Sequence, residues 1–161
     1  MMLRKNPGPY HDFFLLKDLQ RPTYSELRQY LPRKSRAHLS DEILRSIMFD
    51  AISWVPSFIP KENSWENYQG LDLYRMTVID RDGAEKLSKI ISLWGKLFEE
   101  GPECLTLTCA WTNAVTLDQP YGHYEKLLFD REKVVSSLKV LYGYSQAVTE
   151  GRAGYVLHVG I

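Results

Sequence analysis

The alternation of apolar and polar positions is strongest over Cys104–Thr112, CLTLTCAWT. Leu105, Leu107, Cys109 and Trp111 share one parity, and Thr106, Thr108, Ala110 and Thr112 the other. Period two with β-branched residues predicts a strand with one heavy, buried face, so those four residues are expected in the core of a central strand. Before it, Leu71–Ile79 alternates as a second strand. Asp80-Arg81-Asp82-Gly83 then turns into a helix running to Glu99, with Leu87, Ile90, Ile91, Trp94, Leu97 and Phe98 at helical spacing. Gly101-Pro102 stops that helix. After the central strand, Asn113–Gly122 is a polar connection and Tyr124–Phe129 a short strand. Asp130 caps a last helix whose Val134, Leu138, Leu141 and Val148 lie on one side, and Gly154–Gly160 closes the chain as a strand.

The order over 71–161 is thus β-α-β-β-α-β, the ferredoxin-like arrangement, with two helices over one face of a four-stranded antiparallel sheet. The arrangement depends on Tyr124–Phe129 being a strand; otherwise the sheet recruits Tyr10–Leu19. Two helices are expected ahead of it. Thr23 caps the first, with Glu26 as reciprocal partner three residues on, and Pro32 ends it. Ser40 caps the second, Asp41–Trp54, with Ile43, Ile47, Ala51 and Trp54 as its stripe. Between them lies the basic loop PRKSRAH. Val55–Gly70 shows no sustained period and reads as a long aromatic loop, with Trp54 and Phe58 in the core and Trp65 and Tyr68 nearer the surface. The chain is one α+β domain over 1–161: an arm at 1–22, in which Asn6, Pro7, Gly8 and Pro9 delay any helix, two helices and the loop at 23–70, and an α/β sandwich at 71–161.

Composition narrows the function classes. Lys plus Arg is 20 and Asp plus Glu is 20, so a whole-surface affinity for nucleic acid or anionic lipid is not expected. With 44% hydrophobic residues the chain can fill a core, and no run approaches a membrane span. The N-terminus has only Phe13–Leu16 as an apolar run, so a cytoplasmic protein is expected. Cys104 and Cys109 are five apart, face opposite sides of a regular strand, and read as two reduced, mostly buried thiols.

No phosphate-cradling glycine loop, nucleophile elbow or paired metal-ligand spacing occurs, and no catalytic residue, metal or cofactor is expected. His158 shares parity with Val156; if Tyr155, Leu157 and Val159 face the helices, His158 lies on the open sheet face, where a hydrogen-bonded structural histidine is the commoner role. His123 with Asp118 and Tyr121 has the makings of an acid–base set, but no nucleophile or oxyanion donor accompanies it, and DQPYGHY reads as a turn. Asp80, Asp82 and Glu85 are better explained as helix capping than as a cation loop. Arg28, Arg33, Lys34 and Arg36, near Tyr24, Tyr30 and His38, form the one basic cluster; a solvated loop accounts for it better than phosphate contact. The aromatic loop offers the strongest binding signal. Phe58, Glu62, Trp65, Glu66, Tyr68 and Tyr74 would make a mixed apolar–acidic partner-binding patch, unless the rings only cover the free sheet face.

The loop WVPSFIPKENSWENYQG and the closing EGRAGYVLHVGI give the chain a resemblance to immunity proteins of bacterial polymorphic and contact-dependent toxin systems. The resemblance implies a small cytoplasmic α+β protein that binds and blocks a cognate protein toxin without chemistry of its own. The neutral charge departs from the strongly acidic inhibitors of nucleases. A small enzyme or ligand-binding domain, with His158, His123 and Tyr74 in a pocket on the open sheet face, is the alternative; an RNA-binding sheet fails on charge unless Arg33–Arg36 lies beside exposed sheet aromatics.

Overall fold

The computed structural model describes the backbone of residues 4–5 and all of 8–161. Asn6 and Pro7 of the expected arm lie outside the described residues. The strands are β1 (Arg4–Lys5), β2 (Tyr10–Leu16), β3 (Ala37–Ser40), β4 (Pro56–Pro60), β5 (Trp65–Gln69), β6 (Met76–Ile79), β7 (Cys104–Thr112), β8 (His123–Asp130) and β9 (Tyr155–Val159). The helices are α1 (Tyr24–Arg28), α2 (Asp41–Ile43), α3 (Phe49–Ile52), α4 (Arg81–Glu99) and α5 (Arg131–Thr149), with a π-helical turn, Leu44–Met48, joining α2 to α3.

The class is α+β with antiparallel sheet, and the order β6-α4-β7-β8-α5-β9 follows the expected alternation. The pairing differs from one four-stranded sheet. Six strands, β3-β2-β9-β6-β4-β5, make an antiparallel sheet, and β1-β8-β7 make a second, mixed sheet. A ferredoxin-like sheet needs β6 beside β8. Here that side of β6 is taken by β4, through Phe58 opposite Val78, while β8 pairs in parallel with β1.

The capping signals act where the sequence puts them. Thr23 and Glu26 form the reciprocal box, Asp80 accepts from the Gly83 N–H at 3.2 Å, and Asp130 from the Lys133 N–H at 3.2 Å. α4 and α5 pack on one another, and their Leu87, Ile91, Phe98, Leu138 and Leu141 join one core. Phe13, Ile79 and Val156 of the large sheet and Leu105, Cys109, Leu127 and Phe129 of the small sheet enter that core from their own sides. Leu97, placed on the apolar stripe of α4 by spacing, is exposed. The far face of the large sheet is covered by a smaller cluster. Leu16, Met76, Val78, Leu157 and Val159 meet Leu27 of α1, with Phe14, Tyr30, Trp65 and Tyr155 against them.

Four more expectations are corrected. Residues 55–70 form the β4–β5 hairpin instead of a loop. Its prolines hid it, yet the N–H of Gly70 reaches the Val55 carbonyl and that of Lys61 the Ser64 carbonyl, so the odd positions of β4 face β5. Pro56 and Pro60 therefore point toward β6, where the ladder is a single residue pair and no donor is missed. The strand expected over 71–79 starts only at Met76, after a turn in which Arg75 donates its N–H to the Asp72 carbonyl. The second helix ends at Ile52, and Trp54, expected in the core, is 61% exposed. Finally, Val156 and His158, not Tyr155, Leu157 and Val159, face the helix side of the sheet.

Candidate interaction surface and a buried histidine chain

β7 begins as expected, with Leu105 and Cys109 buried and Leu107 packed against the same core. The register then shifts between Thr108 and Trp111: Thr108 pairs with Lys126, and Trp111 with Tyr124, leaving Cys109 and Ala110 opposite Glu125. This is a β-bulge, and the extra residue reverses the parity beyond it. Trp111, expected in the core, is turned to the open face and is 50% exposed. Its ring meets Tyr124 edge-on at 5.0 Å, and its indole N–H donates to Asn113 Oδ1 at 3.0 Å. Gly122, at φ 88°, lets the indole lie over the backbone; a Cβ there would be 2.6 Å from the Thr112 carbonyl and 3.0 Å from the ring. Past Thr112 the hairpin runs out to a tip closed by paired Thr116 and Gln119, with Val115, Leu117 and Tyr121 exposed. Together with Thr106, Thr108 and Lys126, these residues form an open sheet face that ends in an apolar, aromatic finger.

The six residues expected to form one patch are divided. Phe58 and Trp65 meet at a tilt with their ring centres 5.6 Å apart; Trp65 also meets Tyr155 and carries Arg21 at 4.2 Å over its ring. Trp65 and Tyr155 are part of the cover over the second core, and Phe58 lies against Trp65. Glu66 and Tyr68 alternate with Trp65 along β5 and point to its other face, Glu66 held by Lys61. Glu62 is exposed in the β4–β5 turn. Tyr74 is exposed on the turn before β6, where Arg45 donates to its hydroxyl at 3.2 Å.

His158 is fully buried and opens no site on a free face. It heads a chain of hydrogen bonds that sequence reasoning did not assemble. His158 Nε2 and His11 Nδ1 are 2.9 Å apart, His11 Nε2 and Asp41 Oδ1 3.0 Å, and His158 Nδ1 and Thr77 Oγ1 3.4 Å. One set of neutral tautomers satisfies all of it: the Thr77 hydroxyl donates to His158, His158 Nε2–H to His11, and His11 Nε2–H to Asp41. Arg45 closes the chain on Asp41 at 3.1 and 3.2 Å. Burial pushes the His158 pKa well below its ordinary value, with His11 adding to the effect; burial also lowers that of His11, against the raising effect of Asp41. The signal for this chain was His11 and His158 standing at the parity of buried Phe13 and Val156.

His123 sits in β8 of the other sheet, its Nδ1 buried without a hydrogen-bond partner, and Tyr121 is almost fully exposed, so His123, Asp118 and His158 are not brought together. Cys104 is exposed, against expectation, because it holds the open-face parity of β7; Cys109 is buried, its thiol pushed up to about 11 mainly by burial. Among the described residues no group of three or more His, Cys, Asp or Glu is placed to hold a metal ion, and no helix is long and apolar enough to cross a membrane. No family model, no curated protein and no solved structure matches the chain.

Proposed function

We propose that this chain is a non-catalytic protein-binding inhibitor, an immunity protein that neutralises a cognate bacterial toxin by direct binding. The observation that carries the reading is the open β7–β8 face and its finger. Trp111, Tyr124, Tyr121, Leu117 and Val115 stand exposed in one hairpin, and aromatic anchors of this kind dominate protein interfaces. The reading moves the contact surface away from Trp65, whose ring packs on the second core, and from Phe58, whose ring lies against Trp65, to a face outside both cores. Tyr74 and Tyr68 stay accessible for a secondary contact.

The test is to look beside the gene for one that encodes a secreted toxin, and to titrate that toxin domain with the purified chain. Saturating chain should abolish toxin activity. Trp111→Ala with Tyr124→Ala should weaken association at least about 100-fold, about 2.7 kcal/mol, without moving the melting temperature, because both side chains are exposed. Toxin activity that persists in excess chain would overturn the inhibitor reading. Tight binding by the double variant would overturn the assignment of this face.

A further inference from the structure

We propose that the groove between β3, the basic loop 32–36 and the N-terminal half of α5 binds a small anion with an apolar body, an aryl or acyl phosphate or carboxylate. The groove encloses about 620 Å³, within the usual range of sites for small ligands. Its floor is Leu39, Ile43, Phe129 and Val134, all buried members of the main core. Its rim carries Lys34, Arg36 and Lys133 against Asp12 and Asp130. The two carboxylates already serve the backbone: Asp12 Oδ1 accepts from the Ser35 N–H at 2.8 Å, and Asp130 Oδ1 from the Lys133 N–H.

The cations are less committed. Among the described residues Lys34 and Arg36 form no ion pair, and Lys133 is held only loosely, 3.9 Å from Asp130. Arg33 turns away onto the Tyr30 ring at 4.8 Å, which leaves Lys34 and Arg36 as the basic loop's contribution. A second observation points into the same space. Ser137 is 4% exposed and lines the groove, yet its hydroxyl makes no hydrogen bond among the described residues. His123 Nδ1 is the side-chain atom buried without a partner among the described residues, so the Ser137 hydroxyl meets solvent in the groove, and a ligand oxygen there would take the place of that water. Tyr10, held edge-on by His38 at 5.4 Å, supplies an aromatic wall at the mouth. Apolar floor, uncommitted cations and an open hydroxyl together select a ligand that has both an apolar body and an anionic head; an inorganic anion would leave the floor unused, and a neutral apolar molecule would leave the rim unused.

The site does not depend on the inhibitor reading. Its test uses 1-naphthyl phosphate, inorganic phosphate and 1-naphthol as probes of the full chain, by calorimetry and by amide shift mapping. Naphthyl phosphate should bind at least tenfold tighter than either of the others, weaken with added salt, and shift the amides of Leu39, Val134 and Ser137. Lys34→Gln with Arg36→Gln, both exposed, should cost at least tenfold in affinity with the melting temperature unchanged. Equal binding of naphthol, unchanged affinity in the double variant, or shifts gathered on β7 and β8 would each overturn the proposal.

Discussion

His11 and His158 each have one nitrogen that must accept and one that must donate, and the chain from Thr77 to Asp41 uses all four. Protonating His11 sets its Nδ1–H against the His158 Nε2–H at 2.9 Å, and protonating His158 sets its Nδ1–H against the hydroxyl hydrogen of Thr77. Their pKa values are lowered in the folded chain and ordinary in the unfolded one, so the unfolded state binds more protons once the pH falls below about 6.5. The linkage sign follows: stability is full above that value and is lost as the pH falls through it, by up to about 1.4 kcal/mol per pH unit for each histidine. Denaturant titrations at pH 7.5 and 5.5 should show this loss. His11→Leu with His158→Leu should flatten the pH dependence, because Asp41 keeps its two bonds from Arg45. An unchanged slope in the double variant would place the titration elsewhere. Sequence parity does mark these residues as sharing a face with Phe13 and Val156. It does not reveal that 147 positions apart they touch, because that depends on β2 lying beside β9.

At the level of elements, helix starts were legible and strand interruptions were not. A cap is local: Thr23 and Glu26, Asp80, and Asp130 sit within three residues of the donors they satisfy. The bulge at Cys109-Ala110 is visible only against β8, since the alternation CLTLTCAWT continues through it unbroken. Likewise Pro56 and Pro60 spell a loop until the neighbour they face is known. The entry of α4 shows how tightly such contacts bind elements together. A Cβ on Gly83 would lie 2.1 Å from the Pro56 carbonyl oxygen and 2.7 Å from the Ile79 side chain, so α4 approaches β4 as closely as backbone allows. Gly83→Ala should therefore force helix and strand apart and cost about 2 kcal/mol, or roughly 4–8 °C in melting temperature. Gly95, on the same helix, has nothing within 4 Å of its would-be Cβ. Gly95→Ala should instead stabilise by about 0.5–1 kcal/mol. Thermal melts of the two variants compare them directly, and equal effects would refute the close approach.

Across the whole molecule, the last strand is not a peripheral addition. β9 lies inside the six-stranded sheet between β2 and β6, and pairs Val159 with both Asp12 and Met76. Its Val156 enters the main core while Leu157 and Val159 enter the second one, so one short strand serves both. Gly160 and Ile161 add hydrogen bonds to the Arg75 and Leu73 carbonyls. The β-α-β-β-α-β order was readable because each step is a local period. Which strands would pair was not, because β6 takes β4 across the intervening β5, and β9 takes β2 from the other end of the chain. The consequence is an uneven distribution of stability. Removing residues 155–161 exposes the unpaired edges of β2 and β6 and takes apolar side chains from both cores, and should leave a chain with no cooperative thermal transition by circular dichroism. The β7–β8 finger is attached differently. Residues 113–121 are all exposed and none belongs to either core. Replacing 113–122 by a four-residue glycine–serine turn should keep the cooperative transition within a few degrees of the parent. If the finger is the contact surface, the same excision removes partner binding while the fold survives. A finger-less chain that melts without cooperativity would instead make the hairpin part of the folding unit.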